Sequence, residues 1–207
     1  MDKYFKLLVE LGIRPKDELV SIVNHIWAQS CLDGPYIDMS GLQPKGVPEL
    51  YPYPAGSSRT NIYSVQSHWG IATLPNGGQA ACVCDIKYNA ARMAHCIELS
   101  FRMEALNIAY LADPSTLAEQ RLDRSWYAEI ENWFRQIGES LYESFGFNLG
   151  TIGTETNRFS ANDLRRDGIP DDRRLALLIE EGRWLHWYPS TQPLALAYDL
   201  RLEKYPR

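Results

Sequence analysis

The chain has 207 residues, of which 45% are hydrophobic and 23% charged, and 21 Lys and Arg against 26 Asp and Glu leave a net charge of −5. That apolar content with so little net charge excludes a disordered chain, and no stretch approaches the roughly 18–20 uninterrupted apolar residues of a membrane span. A mildly acidic chain also lacks the basic surface that neutralises phosphates, so a nucleic-acid partner is disfavoured.

The first residues, MDKYFKLLVELG, have a broken apolar run and no small-x-small cleavage site. They do not read as a signal peptide, and a cytoplasmic location is expected. The same segment, residues 2–11, reads as a helix ending at Gly12. A second helix starts after Arg14-Pro15, because proline is tolerated in a first helical turn. Leu19, Val23 and Ile26 form its apolar stripe, with Val20, Trp27 and Cys31 along the edge. Residues 34–58 hold five prolines and four glycines, which rules out helix or central strand and predicts a long loop. Tyr36, Tyr51 and Tyr53 lie in it; they either pin the loop to the body or act as contacts, since long loops inside compact domains are often functional.

Residues 60–66 suit a strand. His68–Leu74 and Gln79–Lys87 then flank Pro75-Asn76-Gly77-Gly78, and Asn-Gly between extended runs is a strong hairpin signal. Residues 89–112 carry two apolar stripes at helical spacing, Met93/Ile97/Phe101/Ala105/Ile108 and Cys96/Leu99/Met103/Leu106/Tyr110, which predicts a central helix buried on two faces. A further helix runs from about 116 to 145, with Trp126, Ile130, Trp133, Ile137, Leu141 and Phe145 inward. Ser160 caps a short helix over ANDLRR. Another helix is expected from Pro170 to Gly182, followed by strands at 183–188 and 194–200.

Four cysteines, Cys31, Cys82, Cys84 and Cys96, are too few for a disulfide scaffold. Cys82-Val83-Cys84 is a C-x-C without the second pair that a structural zinc needs. No metal or cofactor is expected.

A turn centred on Asn76-Gly77 fixes a register. Trp69 then opposes Cys84, Ile71 opposes Cys82, and His68 opposes Asp85 on the wetter face, with Cβ atoms about 4.5–5.5 Å apart. An imidazole oriented by a carboxylate is the base half of a catalytic triad. The segment Ser67-His-Trp-Gly-Ile-Ala-x-x-x-Asn-Gly-Gly resembles the histidine strand of the NlpC/P60- and lecithin:retinol-acyltransferase-like cysteine hydrolases. The resemblance covers about a dozen residues. It implies a papain-like fold with His68 as base; with Asp85 as orienter, Cys31 or Cys96 would be the nucleophile. Asp85-Ile86-Lys87 also matches half of a restriction-type nuclease core, but no Asp or Glu occurs between residues 51 and 84 to help hold its Mg²⁺.

Trp184, His186 and Tyr188 share one face of a predicted strand, with Leu185 and Trp187 on the other. Such a row packs into the core or, where exposed, forms a partner or ligand site. The interleaved Arg165, Arg166, Arg173, Arg174 and Asp163, Asp167, Asp171, Asp172 read as a mutually neutralising solvated face.

The expected architecture is α+β within one domain spanning 1–207. A small antiparallel sheet, from strands within 60–88 plus the C-terminal strands, packs on two long helices at about 89–112 and 116–145. Two function classes follow. One is a non-enzymatic protein-binding module, of inhibitor, immunity or adaptor type, whose candidate contacts are Tyr36, Tyr51, Tyr53, Trp184, Trp187 and Tyr188. The other is a cysteine hydrolase or acyltransferase built on His68 and Asp85.

Overall fold

The structure, a computed structural model, describes residues 4–36, 66–90, 92–110, 125–154, 156, 158–171 and 173–191. Among these residues the frame is one eight-stranded sheet, not a small one. The strands are β1 (Tyr4–Gly12), β2 (Leu32–Tyr36), β3 (Gln66–Thr73), β4 (Gln79–Asn89), β5 (Ala94–Arg102), β6 (Leu149–Gly153), β7 (Ala176–Glu181) and β8 (Trp184–Tyr188). They are ordered β2-β3-β4-β5-β1-β6-β7-β8, and every neighbouring pair is antiparallel.

Two expected helices are strands. Residues 2–11 form the body of β1, held between β5 and β6. The predicted 89–112 helix is β5 followed by a short helix, α2 (Met103–Tyr110). The reason is the same in both places: a strand buried on both faces carries a near-continuous apolar run, and such a run satisfies helical spacing as well as strand spacing. Eight consecutive residues of β5, Ala94 to Phe101, are buried. The helix expected from Pro170 is likewise displaced by β7, whose Ala176, Leu177 and Leu178 are buried.

One face of the sheet is covered by α1 (Lys16–Trp27) and α3 (Ser125–Phe145). Phe5, Leu7, Val9 and Leu11 from β1 lie on this face with Ile97, Leu99 and Phe101 from β5 and Cys82, Cys84 and Ile86 from β4. On α3 the inward stripe of Trp126, Ile130, Trp133, Ile137 and Leu141 is buried. Phe134 stacks against Phe5 at 5.8 Å and Phe101 at 5.6 Å between ring centroids, within the range of favourable aromatic pairs. The two helices meet where His25 Nε2 bonds the Ser140 hydroxyl at 2.9 Å and Gln29 Nε2 donates to the same oxygen at 3.1 Å. The opposite face is covered at its β6–β7 end by α4 (Ala161–Asp167). Ser160 caps α4 as expected, and Asp163 completes a reciprocal capping box.

The first three residues of the long loop expected at 34–58, Gly34, Pro35 and Tyr36, belong to β2 instead. Residues 37–58 lie outside the described residues, as do 60–65 of the strand expected at 60–66, whose last residue, Gln66, opens β3, and the strand expected at 194–200.

The β3–β4 hairpin turns one residue away from the expected centre. Gly77 N donates to the Leu74 carbonyl at 2.8 Å and Leu74 N to the Gly78 carbonyl at 2.8 Å. Pro75 and Asn76 are therefore the central residues, and Gly77, at φ +81°, takes the left-handed position of a three-residue loop. An Asn76-Gly77 turn would need positive φ at both residues, and among the described non-glycine residues only Met93 has it. Proline before asparagine supplies the φ that the first central position of a type I turn wants. Asn76 then anchors the turn, its Nδ2 donating to the Ala109 carbonyl of α2 at 2.9 Å.

α1 docks through Trp27, whose indole lies over Gly34 of β2 and Gly70 of β3; a Cβ at Gly70 would overlap that ring and sit 2.7 Å from the Asp33 carbonyl oxygen. Gly70→Ala should therefore destabilise the protein by about 1–3 kcal/mol, the usual cost of overpacking. Urea unfolding measures it, and an unchanged midpoint would contradict this packing.

Candidate functional site

The hairpin register decides the fate of the expected catalytic pair. His68 opposes Cys84, and Asp85 opposes Ser67. A one-residue change of register exchanges faces. His68 is consequently buried on the helix-covered face with Gly70 and Ala72, while Asp85 lies on the other face with Lys87 and Val83. The expected side-by-side pairing is thus corrected. Burial holds His68 below the ordinary histidine range, although the Asp85 charge pulls the other way.

The two expected nucleophiles are elsewhere. The Cys31 carbonyl accepts from Thr73 N at 2.8 Å, five residues along β3 from His68, or roughly 16 Å at the ordinary strand rise. Cys96 opposes Lys87 and Glu10 on the face away from His68. The thiol opposite His68 is Cys84, fully buried. Burial pushes all four thiols up: Cys82 to about 12, Cys96 to about 11, and Cys31 and Cys84 in the same direction. Reactive cysteines have the opposite tendency. The Cys82 and Cys84 side chains do point into the core, as the alternation of β4 demands.

Asp85 belongs to a charged band on the second face. Glu98, its cross-strand partner on β5, accepts from Lys6 at 2.8 Å and from Lys87 at 2.6 Å. Burial raises the Glu98 carboxyl, but the hydrogen bonds and charges of the two lysines together outweigh it and the net shift is downward. Arg92 reaches Glu10 at 3.3 Å. One oxygen of Asp85 is buried with no hydrogen-bond partner. This band supplies the second carboxylate that the D-x-K pattern lacked, but both Glu98 oxygens are taken by lysines. Among the described residues no group of three His, Cys, Asp or Glu side chains is placed to hold a metal.

The aromatic segment presents a different picture. Glu181 opposes Trp184, so β7 and β8 are joined by the two residues Gly182 and Arg183, with Gly182 at φ +69°. As expected from alternation, the side chains divide between the faces. Leu185 and Trp187 pack on the helix side, where Arg135 of α3 lies 5.7 Å from the Trp187 ring centroid. On the second face Trp184 is 75% exposed and His186 is exposed with Nε2 4.0 Å from Glu181 Oε2. Tyr188 donates to Glu181 Oε1 at 2.7 Å, and Arg173 lies 5.9 Å from its ring centroid. Tyr188 is therefore tied down, whereas Trp184 is presented to solvent. Of the three tyrosines, Tyr36 ends β2 and Tyr51 and Tyr53 lie outside the described residues.

Beside these residues is a cavity of about 180 Å³ between α4 and the sheet, lined by Asn148, Leu149, Ala161, Leu164, Arg165, Ile169, Ile179, Glu180 and Glu181. Ile179 opposes His186 and Glu181 opposes Trp184, so cavity and exposed indole share one end of one face. Sequence reasoning missed this cavity because its wall comes from three separated segments with no common motif. The arginine cluster at its side follows expectation only in part: Arg166 donates to both Asp167 oxygens at 2.8 Å and to Asp163 at 3.5 Å, whereas Arg173 donates to the Pro170 and Pro189 carbonyls at 2.9 and 2.8 Å.

Comparison of the chain with protein-family models, with curated proteins and with solved structures gives no match. The short likeness around His68 is thus carried no further, either by those comparisons or by the geometry. No helix of the described residues is long and apolar enough to cross a membrane.

Two outcomes follow. In the native protein the thiols should alkylate slowly and together at pH 7.5, accelerating only on addition of urea; one thiol reacting far ahead of the others, with that lead lost in His68→Ala, would restore the hydrolase chemistry. Second, His68 and His95 are both held below the ordinary histidine value of 6.5 by burial, and the His95 Nδ1 accepts from Arg14 N at 3.0 Å, which a proton there would prevent. Unfolding lets each ring take up a proton, so stability is full above pH 6.5 and falls as the pH drops through that value towards each folded pKa. The urea midpoint should decrease from pH 7.5 to 5.5, and decrease less in His68→Gln.

Proposed function

We propose that the protein is a non-enzymatic, cytoplasmic binding module that captures another protein by surface complementarity, through the end of the sheet formed by β7, β8 and α4. The observation that carries this reading is the exposed Trp184, 75% accessible, next to an aliphatic cavity with a charged rim. A single exposed apolar residue is ordinary. An exposed indole flanking a pocket, with polar groups around both, has the anatomy of an interface hot spot, where aromatic and arginine anchors dominate and a polar rim excludes water. The presenting element suits the task. β8 is pinned to β7 by its ladder and to α3 beyond its end, where Ser190 donates to Glu131 from its hydroxyl at 2.6 Å and from its backbone at 3.2 Å. A surface held rigidly loses less entropy on binding.

Site-directed photo-cross-linking tests the reading. A benzophenone side chain at position 183 or 186 should give one discrete adduct in host extract, and the same group at position 136 on α3 should not. With the cross-linked protein purified, Trp184→Ala should weaken binding at least tenfold, about 1.4 kcal/mol. Equal labelling from all three positions, or unchanged affinity in Trp184→Ala, would remove the proposal.

A further inference from the structure

The dimensions of the cavity constrain what enters it. Its volume is about 180 Å³, and Leu149, Ala161, Leu164, Ile169 and Ile179 give it an aliphatic wall. A cavity of roughly 150 Å³ with a comparable lining accepts benzene, so the space here matches one six-membered ring carrying a small substituent. A charged side chain would have to bury its charge against that wall, which is costly without a partner.

The rim adds a chemical requirement. The Glu180 carboxylate is turned to the helix-covered face, where it accepts from the Tyr142 hydroxyl at 3.2 Å; at the cavity mouth Glu181 accepts from the Tyr188 hydroxyl at 2.7 Å, and a carboxylate has lone pairs for more than one donor. Across from Glu181, Arg165 donates to Asn162 Oδ1 at 3.3 Å, and Asn148 completes the polar part of the lining. A purely aliphatic occupant would strip water from the Glu181 carboxylate and leave its free lone pairs unmatched, which is unfavourable. A phenol meets both conditions, with its ring on the aliphatic wall and its O–H at the acidic mouth.

We propose, on the reading that this end of the sheet binds a protein, that the cavity receives one tyrosine side chain of the partner. The phenol hydroxyl donates to the Glu181 carboxylate at the rim while the Trp184 indole covers the neighbouring surface.

The probe is p-cresol, the side chain of tyrosine in isolation, titrated into the full chain and followed by methyl and amide NMR. Saturable shifts should centre on Leu149, Leu164, Ile169 and Ile179, and toluene, which lacks the donor, should bind several-fold more weakly. Ala161→Leu, which fills the space from α4, should abolish the shifts; Ile179→Phe fills it from the sheet side should the first variant fail to fold. Saturating p-cresol should also lower the cross-link yield from position 183 at least threefold. Absence of saturable shifts at these methyls, shifts that survive both filling variants, or toluene binding as tightly as p-cresol would overturn the proposal. So would p-cresol that binds without reducing the cross-link, since the cavity would then be a small-molecule site. Trp184→Ala separates the two ideas: if it abolishes partner capture and p-cresol never binds, the binding surface stands without the tyrosine pocket. If p-cresol binds and no partner is captured, the protein-binding reading itself falls.

Discussion

The pairing of β1 with β5 along one edge and with β6 along the other is the interaction on which the rest of the molecule rests. It joins β2–β5 to β6–β8. Without it each group would present an open strand edge, with unpaired backbone groups ready for another chain. A strand in that position is enclosed on both faces, and β1 meets this with Phe5, Leu7, Val9 and Leu11 on the helix side and Lys6, Leu8 and Glu10 on the other. The two charged residues on the second face impose the next constraint. Each needs a counter-charge within reach, which Glu98 supplies for Lys6 and Arg92 for Glu10. Buried pairs like these add little net stability against an apolar alternative. What they oppose is slippage, because a shift of β1 by one residue would turn Lys6 and Glu10 into the aromatic core.

The centre and the margin of the sheet therefore have different characters. At the centre both faces are packed or charge-matched, and β5 shows no exposed residue before Arg102. At the β8 margin the strand alternates between half-buried and exposed, and a small helix stands far enough off the sheet to leave a cavity. That division is the common arrangement of a rigid scaffold that carries its contacts where packing demands least. It also accounts for the thiols. Three of the four cysteines sit where packing is tightest and behave as small hydrophobes.

The hairpin illustrates how a local signal can be right in kind and wrong in consequence. Pro75-Asn76-Gly77-Gly78 does reverse the chain between two strands. Which two residues occupy the centre depends on whether the proline's fixed φ or the asparagine's tolerance of the left-handed region prevails, and proline prevails. The resulting one-residue change takes His68 into the core and leaves Asp85 on the charged face. The glycine of the His-Trp-Gly segment then has a packing explanation, since Gly70 is the floor on which the Trp27 indole rests.

Residue types with strong local preferences were legible without coordinates: proline opening α1, serine capping α4, the apolar stripe of α3, and the alternation that splits Trp184–Tyr188 between two faces. These depend on contacts within a few residues, and nearby sequence is sufficient to specify them. The apolar runs at 4–12 and 94–102 were not, because burial on both faces erases the period that separates helix from strand. Only the neighbouring strands decide that these segments are extended. The same holds for the cavity by α4 and for the Lys6–Glu98–Lys87 band, whose members are brought together by strand order across separations of 11 and 92 residues, a distance over which no local preference acts.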